Sequence, residues 1–249
     1  MNTTRSKQIT KAASKQTFYT IRYLEDRERV EDAYRAYAYF RWVDDTLDAG
    51  HDADSERTAF LRRQRTLLDG CYRGVSTPDA GAEESMLVEL VRNDRDRNSG
   101  LHSYLYHMMQ VMEFDANRRG RLISQVELNE YTRWLATAVT EAMHYFIGHG
   151  SYSPHDDTRY LAVTAAHISH MLRDTFDDLQ AGYYNIPREV IEANHLQPQD
   201  VHNKPYRDWV RDRVHLARGY FKRGTDYLAR VEEPRCRLAG LGYSARFGW

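Results

Sequence analysis

Two acidic stretches carry the side chains best suited to chemistry: Arg41-Trp-Val-Asp44-Asp45-Thr-Leu-Asp48 and Arg173-Asp174-Thr-Phe-Asp177-Asp178. On a helix, Asp44 and Asp48 share one face about a turn apart, and so do Asp174 and Asp178. Like charges so placed repel. Each cluster also runs toward a glycine, Gly50 or Gly182, where the negative end of a helix dipole disfavours further carboxylates by a few tenths to about 1 kcal/mol apiece. A single D-x-x-x-D would be a solvated surface face in a chain with 29 % charged residues. Here two copies each follow an arginine, and each extends a stripe, Tyr34, Tyr37 and Arg41 in one case and His167, His170 and Met171 in the other. Converging carboxylates of this kind suit Mg²⁺, a hard ion that binds through one or two carboxylates and completes its shell with water and phosphate oxygens. The pattern points to a diphosphate substrate.

Other chemistries lack their residues. The histidines form no H-E-x-x-H, and neither a nucleophile elbow nor a glycine-rich phosphate loop is present. Cys71 and Cys236 stand outside any C-x-x-C spacing, so both are expected as reduced thiols. Lys+Arg 35 against Asp+Glu 36 leaves a net charge of −1, which gives no global attraction to nucleic acid or to a membrane surface. No apolar run is long enough for a membrane span and the first residues carry no secretory signal. The expected location is cytoplasmic, with peripheral membrane contact left open.

The elements that must position the aspartates are helical. Gly 14 and Pro 6 in 249 residues leave few breakpoints for short strands. Residues 28–49 lack Gly and Pro and repeat large side chains at three and four, predicting a helix closed by Gly50. Further helices are expected from Asp54 to Gly70, over ESMLVELV, and over LHSYLYHMMQVMEFDA, with a loop at Thr77–Gly81. Ser124 and Glu127 have capping-box spacing and should open a helix to about His149. Asp157 should cap a long helix to about Ala181, closed by Gly182. A short PREVIEAN helix, one from about Tyr206 to Val231, and a last one after Pro234 complete the chain. The fold class is all-α, an expected single domain over residues 1–249.

Nearly the whole chain resembles the squalene/phytoene synthases, all-α enzymes that join isoprenoids head-to-head. The resemblance runs through SKQTFY, YRAYAYFRWVDDTLD, MEFDANRRGRLISQVELNEYTRWLA, HMLRDTFDDLQAGYYNIPREVIEANHL and the last helix around Tyr243. It implies a helical bundle around a central cavity, in which Asp44, Asp48, Asp174 and Asp178 hold Mg²⁺, or Mn²⁺ in its place, against prenyl diphosphates. By the same resemblance Arg41 and Arg173 neutralise the diphosphates, Lys15 is the flap residue, and Tyr37, Tyr131 and Tyr243 are cavity tyrosines near the ionising carbon. The implied enzyme condenses two allylic prenyl diphosphates to a squalene-, dehydrosqualene- or phytoene-type product; a reductive second step with NADPH is left open.

Three departures bear on that expectation. His170 stands where the family has a metal-holding Asn, and imidazole suits a hard cation less than an amide oxygen does; it is expected to act in catalysis, in that ligand position or as acceptor of the carbocation's proton. Thr137 and Thr140 replace two glycines that let a prenyl tail run close to the backbone. The chain ends at Trp249, ahead of a segment in which relatives carry another diphosphate-facing arginine. These motivate three alternatives: a relative that joins one prenyl diphosphate to an aromatic acceptor, a terpene cyclase, and a non-catalytic assembly factor. Asp115 is expected to pair with Arg118 or Arg119, and Met108, Met109 and Met112 to pack the core.

Overall fold

The computed structural model describes residues 2–48, 54–96 and 98–247; the expected stop at Gly50 and the terminal Trp249 lie outside them. Among the described residues the regular structure is helical apart from one isolated parallel bridge between Leu122 and Tyr184, and the all-α expectation stands. The helices gather into two compact units, residues 1–113 with 141–151 and residues 114–140 with 152–249.

The first unit begins with α1 (Asn2–Ala13) and α2 (Lys15–Leu24), which the hydrophobic pattern does not announce. The buried side of α1 carries Ser6 and Thr10, both fully buried, and the Thr10 hydroxyl donates to the Ser6 carbonyl at 2.9 Å. Small polar residues that satisfy themselves within the helix let it lie close against α3 (Val30–Asp48). The Ser14 side chain caps α2 by accepting from the Thr17 amide. Helix α3 packs its Ala33, Ala36, Tyr39, Phe40 and Val43 into the core against α5 (Glu84–Asn93). Helix α4 (Asp54–Tyr72) continues past the expected stop at Gly70, and the chain turns only at Gly74, whose φ of 74° is left-handed. Helix α6 (Gly100–Arg118) then supplies Leu101, Leu105 and Met109 to the core.

In the second unit, the Ser124–Glu127 capping box is present in both directions: the Glu127 amide donates to Ser124 Oγ at 3.2 Å and the Ser124 amide to Glu127 Oε2 at 2.8 Å. It opens α7 (Gln125–Phe146), which ends three residues before His149. The long helix expected from Asp157 is shorter and broken. It begins at Leu161, and Asp156 rather than Asp157 closes the preceding turn by accepting from the Thr158 amide. It then splits at Asp174 into α8 (Leu161–Arg173) and α9 (Thr175–Ala181). The Thr175 hydroxyl donates to the carbonyls of Met171 and Leu172 at 3.1 and 2.9 Å, an alternative to the regular ladder that bends the chain there. Gly182 closes α9 with a φ of 85°.

After α10 (Arg188–Ala193), α11 (Lys204–Leu228) lies along α8, with α12 (Pro234–Ala245) against both. The α8–α11 crossing is close because α11 has Gly224 there: a Cβ at that position would stand 2.5 Å from the Ala162 nitrogen. Ala165, Ile168 and Ala217 fill the seam beside it.

Candidate active site

In the first unit, the expected residues of the first motif gather around Tyr37. The Tyr37 hydroxyl reaches Ser14 and Thr17 at the start of α2, and Arg41 and Asp44 lie close enough to act on its charge. Burial pushes the Tyr37 phenol above its ordinary range, with Arg41 opposing and Asp44 assisting. Arg41 Nη1 donates to Asp44 Oδ2 at 3.3 Å, and its other terminal nitrogen pairs with Asp45. Lys15 is the first residue of α2, directly after the Ser14 cap, and is exposed. Asp48, one turn beyond Asp44, is exposed as well.

The second motif sits at the α8–α9 break in the second unit. Arg173 forks onto Asp174, Nε to Oδ1 at 2.6 Å and Nη2 to Oδ2 at 2.9 Å. His170 Nε2 lies 2.7 Å from Asp174 Oδ2; since a carboxylate only accepts, this nitrogen carries the proton. The Arg173 bonds hold Asp174 below the usual carboxylate range. Asp178 behaves oppositely: burial raises it, against the bond it accepts from Asn185 Nδ2 at 2.6 Å. The break corrects the dipole expectation as well. Asp177 and Asp178 lie in the first turn of α9, where the dipole favours negative charge.

Asn185 links Asp178 to a buried chain of polar groups. Arg118 Nη1 donates to Asn185 Oδ1 at 2.9 Å, Arg118 Nε to Asp115 Oδ1 at 2.6 Å, and the Tyr131 hydroxyl to Asp115 Oδ2 at 2.8 Å. The expected Asp115–Arg118 pair is thus real. Burial opposes the charge on Arg118, but Asp115, Tyr131 and Asp178 outweigh it and its pKa rises. Burial, with Asp115 assisting, lifts the Tyr131 phenol well above its usual range. The Arg118 guanidinium also lies 5.0 Å from the Tyr131 ring centroid and 4.8 Å from that of Tyr183.

His167, one turn before His170, is 5 % exposed and meets the Tyr131 ring edge-to-face at 5.0 Å. Its Nε2 has no hydrogen-bond partner among the described residues. Burial first, then the charges of His170, Arg118 and Arg213, push it down to about 3, so the ring is neutral. Tyr243 comes to the motif through Phe247, which is 5.6 Å from Tyr243, 5.8 Å from His170 and 5.9 Å from the Arg173 guanidinium. Burial lifts the Tyr243 phenol to about 12. Sequence reasoning did not assign Arg118, Asn185, His167 and Phe247 to the site: His167 entered only as part of the stripe leading to Asp174 and Arg118 only as a partner of Asp115. Thr140 is buried and its hydroxyl has no partner among the described residues.

The donor chemistry fits a hard divalent cation. Asp44 and Asp174 keep 44 % and 29 % of their side chains exposed, so their oxygens are accessible. Among the described residues no three acids, histidines or cysteines cluster closely enough to enclose a metal. What the motifs offer is carboxylate pairs, the partial protein shell that Mg²⁺ completes with phosphate oxygens and water. His170 does not add to this shell through Nε2, because that atom is engaged with Asp174.

The squalene/phytoene synthase family pattern matches residues 10–245. The crystal structure of a dehydrosqualene synthase in complex with ligand aligns with a TM-score of 0.73 at 17 % identity, covering 99 % of this chain and 83 % of that one. At that identity the likeness concerns the fold. No curated protein matches the chain.

Proposed function

The chain belongs to the squalene/phytoene synthase family, and on that premise we propose that it is a Mg²⁺-dependent prenyltransferase condensing two allylic prenyl diphosphates head-to-head. Members of this family are prenyltransferases. The observation that supports the reading is that each aspartate motif is bonded to its own arginine, Arg41 to Asp44 and Arg173 to Asp174. A chain built in this way offers anion-binding guanidinium and cation-binding carboxylate side by side, the two groups a metal diphosphate needs.

Asp44, Asp48, Asp174 and Asp178 would hold the metal, which when bound supplies Lewis-acid stabilisation of the departing diphosphate. The chain's own residues do the rest. Arg41, Arg173 and Lys15 bind the diphosphate oxygens. The allylic C–O bond breaks with its electron pair leaving on oxygen, the resulting allylic cation is attacked by the double bond of the second chain, and the new cation this creates is neutralised by loss of a proton to the released diphosphate. Tyr37 and Tyr243 supply aromatic rings to the cation, while the Tyr131 ring already meets Phe114 and the Arg118 guanidinium, each at 5.0 Å. The raised pKa values of the three tyrosines keep the phenols protonated, so no phenolate captures the cation. His170 acts on Asp174 as a positioning residue, donating from Nε2.

Asp44→Ala and Asp174→Ala should each abolish diphosphate release while circular dichroism stays helical. Near-normal turnover in either variant refutes the reading. Labelled C10, C15 and C20 diphosphates, with and without NADPH, identify the product. A second reading, transfer of one prenyl group to an aromatic acceptor, is favoured by Thr140, whose buried hydroxyl occupies space that a glycine would leave open. A product containing one prenyl chain would establish it.

A further inference from the structure

Within the second unit, α7, α8 and α11 line an open pocket of about 280 Å³ that the aspartate motifs do not use. Asn129 and Arg133 line it from α7, Leu161 and Thr164 from the first turn of α8, and Arg213 and Tyr220 from α11. Arg213 is half-buried, and burial lowers its pKa, with only the Tyr220 phenol opposing. A guanidinium remains charged in any protein environment, so this burial costs solvation that a neighbouring anion would offset. Neither Arg213 nor Arg133 has a carboxylate partner among the described residues. That separates them from the arginines nearby: Arg173 forks onto Asp174 and Arg230 bonds Asp156.

Ala136, Leu161, Ile168 and Leu216 make much of the lining apolar, and the polar groups beside the two arginines can donate. The Asn129 amide oxygen accepts from Gln125 Nε2 at 2.8 Å, which leaves its NH₂ group as a donor. The α8 N-terminus has no side-chain cap and adds the positive end of a thirteen-residue helix. Two guanidiniums, an amide and a phenol are more donors than one carboxylate can accept from, and two cations call for a doubly charged partner. The volume is just below that of a drug-sized pocket and accommodates a phosphate or diphosphate head. Thr164 precedes Asp174 by ten residues, roughly 15 Å of helix rise. We propose that this pocket is a second anion site, holding a phosphate or diphosphate group apart from the aspartate motifs, with Arg213 as its anchor and Arg133 at its rim.

Isothermal titration calorimetry of the full chain tests this with inorganic phosphate and inorganic diphosphate, in the absence of divalent cation and prenyl substrate. Arg213→Met should weaken binding about tenfold or more, and Arg213→Lys less, because lysine keeps the charge without the fork. Arg133→Gln, at an exposed position that cannot unfold the chain, should weaken binding severalfold. Arg173→Gln should leave the pocket's affinity intact, which separates this site from the second motif. Co-sedimentation with phosphatidic acid vesicles, against phosphatidylcholine vesicles, tells a lipid headgroup from a free ion. Arg213-dependent binding to those vesicles alone assigns the site to lipid phosphate. Equal binding by parent, Arg213→Met and Arg133→Gln, or no binding of any probe up to the order of 10 mM, overturns the proposal.

Discussion

Asp174 and Asp178 lie four residues apart in one motif, yet their surroundings drive the two carboxyls in opposite directions. Arg173 lowers the first, and burial raises the second. The spacing alone assigns both the same role, because the burial that distinguishes Asp178 is set by the packing of distant segments, and the Asn185 bond and the Arg118 charge oppose it without cancelling it. Replacing Arg118 with Met would leave Asp115 half-buried with Tyr131 as its remaining donor and would release Asn185. Breaking such a pair typically costs about 3 kcal/mol. Urea unfolding should show a loss of that order, and KM for the prenyl diphosphate should rise as Asp178 loses its fixed amide. His167 supplies a prediction in pH. Its folded pKa of about 3 lies below the ordinary value of 6.5, so between those values the unfolded chain binds the extra proton. Stability therefore falls as pH drops from about 6.5 toward 3. His167→Gln should flatten this part of the profile, measured as the urea midpoint at pH 7 and pH 5; an unchanged slope would assign it to other groups.

At the scale of helices, the parts written in apolar spacing or capping chemistry were legible. The 28–49 segment became α3, and Ser124 with Glu127 opened α7 as their spacing predicts. What escaped was written in polar residues. Helix α1 buries Ser6 and Thr10, which carry no hydrophobic period, and the break at Asp174 depends on one threonine hydroxyl choosing carbonyls behind it. The close crossing of α8 and α11 is equally silent, since a glycine inside a helical stretch signals a weak spot before it signals contact. Gly224→Ala would place a methyl 2.5 Å from the Ala162 nitrogen and 2.7 Å from its Cα. Both are backbone atoms that cannot rotate away, so α8 and α11 must separate. The expected cost is about 1–3 kcal/mol, seen as a lowered melting temperature. Because α8 carries His170 and ends at Asp174, activity should fall by more than the unfolded fraction explains. Normal activity in the remaining folded protein would show that the crossing does not set the geometry of the motif.

On the scale of the whole chain, the first aspartate motif belongs to one compact unit and the second to the other. The sequence showed the two motifs as a repeated pattern and carried no sign of this division, because no linker of distinct composition separates the units: the chain passes from one to the other inside α6, inside α7 and again between Ser151 and Tyr152. If both motifs serve one metal diphosphate, that ligand stabilises the folded chain by RT ln(1 + [L]/Kd), about 2.7 kcal/mol at a hundred times Kd. Mg²⁺ together with a non-hydrolysable prenyl diphosphate analogue should then raise the melting temperature by several degrees, while Mg²⁺ alone raises it little, since carboxylate pairs without phosphate oxygens make an incomplete shell. Asp48→Ala and Asp178→Ala should each remove most of the increase. Asp48 is exposed, so its loss should leave the unliganded melting temperature in place and isolate the effect on binding. If Asp178→Ala removes the increase and Asp48→Ala preserves it, the two motifs act on different ligands, and condensation of two diphosphates by this chain would need another arrangement of its cations.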